Sequence, residues 1–309
     1  MRRIALVSLA VGFLLVSCTK TSTPPADAGG STFALQVATT DLYAGAPQRV
    51  QVGIYNSTAN GVELLTGGSV PLTLTPTAGG DPIDGTATYV PATGTPSAST
   101  PTLTSPADAR GVYQLEDVTF PSLGVWNAEA SFTVDGQPQD LSAAFVVADK
   151  PALPAPGDRA FHTENLTMAD ASKNPQAVDS RAQDGAKVPD PELHQDTIAG
   201  ALDAHRPILA LFATPLYCQS QFCGPSTDAL EQLSKTGPAD AAYIHIEIWA
   251  TYTQHKKVAN RAAAQWLYRN DDLTEPWLFL IGRDGVIVDR WGPLFDPHEA
   301  LRELKKADR

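Results

Sequence analysis

The stretch Pro207-Ile-Leu-Ala-Leu-Phe-Ala213 is a continuous apolar run, and Thr214-Pro-Leu-Tyr-Cys218-Gln-Ser-Gln-Phe-Cys223-Gly-Pro225 follows it directly. An unbroken apolar run of this length is typical of a strand that is buried on both faces of a sheet. Proline near the start of the next segment, with apolar residues at 230 and 233, favours a helix there. The sequence therefore predicts a strand, a cysteine-bearing turn and a helix, in that order.

The two cysteines of this stretch are five residues apart, in a C-x4-C spacing. In one α-helix their Cα atoms would be about 8–9 Å apart, whereas a disulfide needs less than about 7 Å. A disulfide therefore requires Cys218 to lie in the turn and Cys223 at or just before the helix start. A thiol at a helix N-terminus has a lowered pKa, and a second thiol within reach resolves a mixed disulfide. Either cysteine could attack first, and a permanent structural disulfide is the alternative to redox chemistry.

Strand and helix signals alternate on both sides of the cysteines. Helices are predicted over 198–205, 224–234, 258–269 and 297–306, and strands over 207–213, 242–249, 277–281 and 286–291. The turn Gly282-Arg-Asp-Gly285 predicts that the last two strands form a hairpin.

This order of elements resembles the thioredoxin fold, over about residues 155–306. Cys223-Gly224-Pro225 matches the start of the Cys-Gly-Pro-Cys motif of thioredoxins, although Ser226 stands in place of the second cysteine. Glu275-Pro276-Trp277 occupies the position of their cis-proline loop. The resemblance implies an α/β thioredoxin-like, redoxin-related domain over 158–306. It also implies that Glu275, Pro276 and Trp277 contact the substrate.

The first half of the chain shows short β-rich runs, at 33–37, 49–55, 70–74, 112–115, 125–134 and 141–147. They predict an all-β sandwich over 32–149, and the stretch 111–126 resembles the closing strands of immunoglobulin-like domains. Residues 21–148 contain no His, Cys or Met, and their only basic residues are Arg49 and Arg110. We therefore expect a spacer or protein-binding module without catalysis, joined to the second half by a Pro-rich linker over 150–157.

The N-terminus carries an export pattern. Arg2 and Arg3 precede an apolar run over 4–16, which is typical of a signal peptide over 1–17. Leu15-Val-Ser-Cys18 resembles the lipobox of bacterial lipoproteins, which implies cleavage before Cys18 and a lipid on its thiol. The segment 18–31 then reads as a flexible tether. If Cys18 is acylated, the remaining two cysteines are an even number in an oxidising setting.

The formal net charge of −12, from 22 basic and 34 acidic residues, argues against nucleic acid as a partner. It also leaves the lipid as the only expected membrane contact. The resemblances together imply a lipid-anchored thiol–disulfide oxidoreductase of the cell envelope, facing outside the cytoplasm. It would act on protein thiols or disulfides through Cys218 and Cys223, without a cofactor or metal.

Two other functions fit the same residues. The first is a non-enzymatic envelope binding module in which the disulfide is a structural staple. The second is Cu(I) delivery, because cysteines ahead of a helix also resemble the copper-delivery proteins of cytochrome oxidase assembly. Those proteins use a C-x3-C spacing and a histidine, for which His245 and His255 are the candidates here.

Overall fold

The computed structural model describes residues 32–269 and 272–308. The predicted signal peptide over 1–17, the lipidation site Cys18 and the tether over 18–31 lie outside the described residues. The described chain is mostly β-sheet. A large antiparallel sheet occupies the first lobe, residues 32–149, and a small mixed sheet with helices occupies the second lobe, residues 158–308.

Nine strands form the first lobe: β1 (Thr32–Val37), β2 (Gln48–Thr58), β3 (Gly61–Thr66), β4 (Ser69–Pro76), β5 (Ile83–Pro91), β6 (Thr102–Thr104), β7 (Gly111–Val118), β8 (Gly124–Val134) and β9 (Gln137–Val147). Six of them coincide with the predicted runs. The sequence does not predict the other three strands, β3, β5 and β6. The strand β5 begins Ile83-Asp-Gly, which has a turn composition, and it is held in place by hydrogen bonds to β4 and β7.

The nine strands belong to one continuous hydrogen-bonded antiparallel sheet. Two strands change partner along their length. The first part of β2 pairs with β7 and its last residues pair with β3, while β5 pairs first with β4 and then with β7. These changes of partner connect all nine strands into one hydrogen-bonded sheet. Side chains from its strands, among them Trp126 and Tyr113, form one apolar core.

The hairpin of β8 and β9 confirms the alternation in the sequence. Trp126, Ala128 and Ala130 are buried, and the residues between them point to the outer face. Asp135 and Gly136 connect the strands with φ angles of 51° and 74°. Positive φ at both central residues is the two-residue turn that suits the twist of an antiparallel pair.

The second lobe contains α1 (Pro175–Val178), a 3₁₀ turn (Pro191–His194), α2 (Ile198–Asp203), β10 (Ile208–Ala213), α3 (Cys223–Thr236), β11 (Ala242–Glu247), β12 (Trp249–Tyr252), β13 (Lys257–Ala259), α4 (Arg261–Leu267), β14 (Tyr268–Arg269), β15 (Asp272–Leu273), β16 (Trp277–Ile281), β17 (Ile287–Trp291) and α5 (Pro297–Ala307). Its main sheet has the order β11-β10-β16-β17. The strand β10 pairs in parallel with β11 and antiparallel with β16, and β17 is antiparallel to β16. All six residues of β10 are buried, as its apolar sequence predicts.

One predicted helix is shorter than expected. The sequence predicts a helix over 258–269, whereas α4 begins at Arg261. Lys257-Val258-Ala259 instead pairs with β12 to form a small antiparallel ribbon. Strand pairing satisfies the backbone of these residues, which would otherwise lie in the first turn of the helix.

The predicted linker over 150–157 packs against both lobes. The carboxylate of Asp41 accepts hydrogen bonds from the backbone N–H groups of Ala152 and Leu153, at 2.8 and 3.1 Å. The side chain of Leu153 is 5 % exposed and belongs to the core of the second lobe. The connection is therefore a packed segment of the structure.

Candidate functional site

The cysteines lie where the helix-geometry argument requires them. The strand β10 ends at Ala213, Cys218 lies in the turn that follows, and α3 begins at Cys223. Their Cα atoms are 5.9 Å apart and their sulfurs form a disulfide. The segment 214–222, which we call the cysteine loop, therefore presents one sulfur while the helix start presents the other.

The two sulfurs have different surroundings. Cys223 is completely buried in the core beneath α3, whereas Cys218 is half-buried. The backbone N–H of Cys223, at the first residue of α3, donates to Sγ of Cys218 over 3.2 Å. The hydroxyl of Ser220 lies 3.3 Å from the same sulfur. Hydrogen bonds from a helix N-terminus stabilise negative charge, so the arrangement favours a thiolate on Cys218 after reduction.

The loop before β16 lies beside the disulfide. The Glu275–Pro276 peptide bond is cis, as the resemblance implies. The backbone N–H of Gln219 donates to Oε1 of Glu275 over 3.3 Å, which ties this loop to the cysteine loop. The carboxylate of Glu275 lies within 4.8 Å of both sulfurs. Burial raises the pKa of Glu275, and the charge of Asp272 raises it further.

The other two predicted contact residues are less accessible. Pro276 is buried, and Trp277 is only 4 % exposed. The indole N–H of Trp277 donates to Thr274, and its ring packs against the guanidinium of Arg290 at 5.1 Å. Glu275 is therefore the member of this trio whose side chain contacts the cysteine loop, whereas the indole of Trp277 contacts Thr274 and Arg290.

A cavity of about 690 Å³ lies beside the two loops. The second lobe contributes the residues between the cysteines and the loop around Glu275. The first lobe contributes the facing wall, which includes Tyr55 and Arg110. The first lobe therefore forms one wall of the cavity beside the disulfide.

Arg110 is a residue of this cavity that the sequence analysis does not identify as functional. Its Nε is buried, and its guanidinium has no hydrogen bond or ion pair within residues 32–269 and 272–308. The signal in the sequence is its rarity, since only Arg49 and Arg110 are basic between residues 21 and 148. Arg49 also faces the second lobe, where it forms ion pairs with Asp289 and Glu299.

The histidines considered for Cu(I) do not join the cysteines. His245 is completely buried on β11, and its Nε2 lies 3.2 Å from the carbonyl oxygen of Ala213. His255 is exposed in the turn between β12 and β13. In the described part of the chain, the third candidate ligand beside the two sulfurs is the carboxylate of Glu275. Carboxylates suit Cu(I) poorly.

A second group of potential ligands lies in the interior and is absent from the sequence analysis. It consists of Asp179, His194 and His245, all completely buried. These residues are far apart in the chain and show no motif spacing, so no local pattern could reveal them.

Comparison of the chain with protein-family models, with curated proteins and with solved structures gives no match. Among the described residues, no helix is both long and apolar enough to cross a bilayer.

Proposed function

We propose that the second lobe is a thioredoxin-like domain and that the protein is a thiol–disulfide oxidoreductase acting through Cys218 and Cys223. The sheet order β11-β10-β16-β17, with only β10 and β11 parallel, supports the fold. The position of the disulfide at the start of α3, beside a cis-proline loop, supports the site. The observation that carries the function is the unequal exposure of the two sulfurs, with the N–H of Cys223 donating to Cys218.

The steps of the proposed exchange follow from the unequal exposure of the two sulfurs. A substrate thiolate attacks Sγ of Cys218, the bond between Cys218 and Cys223 breaks, and its electron pair leaves on Cys223, which takes up a proton. A second substrate thiolate then attacks the substrate sulfur of the mixed disulfide and releases Cys218 as a thiolate. Two electrons pass from the substrate dithiol to the protein. In reverse, the Cys218 thiolate attacks a substrate disulfide and Cys223 resolves the intermediate, so the mixed disulfide forms at Cys218 in both directions.

Glu275 is suited to carry the proton of this exchange. Its carboxyl group lies within 4.8 Å of both sulfurs, and burial raises its pKa above the ordinary value of 4.5, which favours the protonated form that can donate a proton. A protonated Glu275 would protonate the leaving thiolate. An ionised Glu275 would accept the proton when a thiol is activated.

The cavity between the lobes is the proposed place for the substrate segment that carries the reacting sulfur. One wall is the cysteine loop with the loop around Glu275, and the other is the first lobe with Tyr55 and Arg110. The lipobox resemblance at Cys18 supports a lipid-anchored protein of the cell envelope, whose substrates are protein thiols or disulfides outside the cytoplasm.

Trapping of the mixed disulfide tests the proposal. The full chain carrying Cys18→Ser is compared in two further variants, Cys223→Ser and Cys218→Ser, after reaction with glutathione disulfide. We expect Cys218, which is free in Cys223→Ser, to form one mixed disulfide per chain at least about tenfold faster than Cys223 does in Cys218→Ser. The physical reasons are that Cys218 is more exposed than Cys223 and that the N–H of Cys223 stabilises the Cys218 thiolate.

The alternative function makes the opposite prediction. The complete burial of Cys223 also favours a structural staple, as in a non-enzymatic envelope module. If neither cysteine reacts faster in the folded variants than in the same variants unfolded in denaturant, the disulfide is a staple and the exchange mechanism is wrong.

A further inference from the structure

Three side chains from separate parts of the second lobe meet in its interior. Asp179 follows α1, His194 ends the 3₁₀ turn, and His245 lies on β11. All three are completely buried. Oδ2 of Asp179 lies 3.4 Å from Nδ1 of His245 and 3.6 Å from Nε2 of His194. We call these three residues the histidine–aspartate cluster.

The hydrogen bonding of His245 identifies its tautomer. Its Nε2 lies 3.2 Å from the carbonyl oxygen of Ala213, and a carbonyl oxygen can only accept. A neutral ring therefore carries its proton on Nε2 and has a lone pair on Nδ1. That lone pair faces Oδ2 of Asp179, which is also an acceptor. Two acceptors at this distance repel each other unless a cation lies between them, and that cation is either a second proton on the ring or a metal ion.

His194 adds a third side chain with a potential ligand atom. Neither of its ring nitrogens has a hydrogen-bond partner in the described part of the chain, although both are buried. Buried polar atoms without partners are rare in folded proteins. Nε2 of His194 lies 3.6 Å from the same carboxylate oxygen, so one bound cation would contact all three side chains and give this nitrogen a partner.

The surroundings hold the carboxylate in place. The Arg181 backbone N–H donates to Oδ1 of Asp179 over 2.8 Å, and its guanidinium donates to Oδ2 over 2.7 Å. Arg181 also pairs with Asp190, and the buried carboxyl group of Glu247 accepts from the Ser180 N–H at 2.8 Å. Metal-bound carboxylates and histidines usually have such outer partners, including a backbone carbonyl for the second ring nitrogen.

We propose that the histidine–aspartate cluster binds a Zn²⁺ ion. Two imidazoles and one carboxylate are a common zinc donor set, with bonds of about 2.0–2.2 Å. In a tetrahedral site, bonds of that length place neighbouring ligand atoms about 3.3–3.6 Å apart, and the measured separations from the carboxylate oxygen are 3.4 and 3.6 Å. Three protein ligands leave one position for a water molecule.

The ion would link the segment around Asp179 to His194 and His245, next to the cysteine loop. Ser180, the next residue, accepts a hydrogen bond from the backbone N–H of Leu216 over 3.1 Å. Because the cluster has no solvent exposure, the ion would be taken up as the chain folds. The proposal does not depend on the redox function, since the cysteines are not ligands.

Zinc content after refolding is the test. The full chain carrying Cys18→Ser, with its disulfide closed, is unfolded in denaturant without reductant and refolded with Zn²⁺ or Co²⁺. We expect one zinc ion per chain after dialysis, and for cobalt the visible bands of a tetrahedral site without a thiolate charge-transfer band. His194→Gln and His245→Gln should lower the affinity by more than the roughly 10–100-fold that follows loss of an outer partner. The control His255→Gln, at an exposed histidine, should bind as the unaltered chain does.

Three results would overturn the proposal. They are refolded chain without zinc, binding that survives in both His194→Gln and His245→Gln, and a cobalt spectrum with thiolate bands, which would place the metal at the cysteines. If a glutamine variant does not fold, the cobalt spectrum of the chain with all histidines intact still distinguishes nitrogen and oxygen ligands from sulfur.

Discussion

Cys218 and Cys223 belong to one disulfide but face different environments, and the backbone accounts for the difference. Cys223 opens α3, so its side chain packs into the core while its N–H points at Cys218. Cys218 stays in the loop, where it is half-buried. The sequence locates both residues correctly, but it leaves open which cysteine attacks. Exposure and hydrogen bonding are three-dimensional properties, and in the proposed exchange they favour Cys218 as the attacking residue.

Glu275 allows a pH-dependent test at the scale of one residue. Burial raises its pKa above the ordinary value of 4.5, so the folded protein binds this proton more tightly than the unfolded chain does. Stability is therefore lost as the pH rises from about 4.5 through the raised pKa. Glu275→Gln removes the titration. We expect the variant to gain stability relative to the unaltered protein between pH 4 and pH 7.

Urea denaturation of the oxidised variant and of the oxidised unaltered protein, at pH 4 and at pH 7, measures the difference in their free energies of unfolding. The disulfide does not titrate, and Asp272, which also faces Glu275, is present in both proteins. A stability difference that is the same at pH 4 and pH 7 would contradict the assigned cause.

At the scale of elements, the sequence predicts best where local pattern and tertiary packing agree. The strand β10 and the helix α3 are identified because an apolar run and a proline-started amphipathic segment each carry their own signal. The strand β5 is missed because its first residues resemble a turn and only its neighbours hold it extended. The histidine–aspartate cluster and the cavity wall at Arg110 are also missed, since contacts between distant residues have no local signature.

The turn of the β8–β9 hairpin gives a prediction for one element. Gly136 has a φ of +74°, in the left-handed region. Gly136→Ala meets no neighbour within 4 Å, so its effect is purely conformational. We expect a loss of about 1 kcal/mol, measured by urea denaturation. An unchanged stability would show that the turn adopts another conformation.

Gly224, in the first turn of α3, is the matched control. Its φ is not positive, and an added Cβ would again meet nothing within 4 Å. Gly224→Ala should therefore stabilise the protein by about 0.4–1 kcal/mol, because alanine has fewer unfolded conformations. A destabilised variant would mean that the start of α3 requires glycine.

At the scale of the whole molecule, buried charges join the two lobes. Arg290 on β17 pairs with Asp41 of the first lobe at 2.6 Å, and both side chains are only 7 % exposed. The guanidinium of Arg290 also contacts the ring of Tyr43 at 5.4 Å and the ring of Trp277 at 5.1 Å. The same side chain therefore fixes the first lobe and supports the loop beside the disulfide.

Asp41→Asn tests this connection. The variant keeps the shape of the side chain but leaves Arg290 without a charged partner in the interior. Loss of one member of a buried ion pair costs about 3–5 kcal/mol, and we expect a loss in that range by urea denaturation. The control is Glu303→Gln on α5, whose partner Lys306 is exposed, and which should change stability by less than about 1 kcal/mol. Equal effects of the two substitutions would contradict a buried connection between the lobes.

The reduction potential of the Cys218–Cys223 disulfide tests the central claim most directly. The full chain carrying Cys18→Ser is equilibrated with glutathione buffers, and its free thiols are trapped and counted. An exchange catalyst is expected between roughly −120 and −270 mV, the range of known oxidoreductases, whereas structural disulfides lie below about −300 mV. We predict a value in the first range. A disulfide that stays closed in the most reducing buffer would contradict the proposed oxidoreductase.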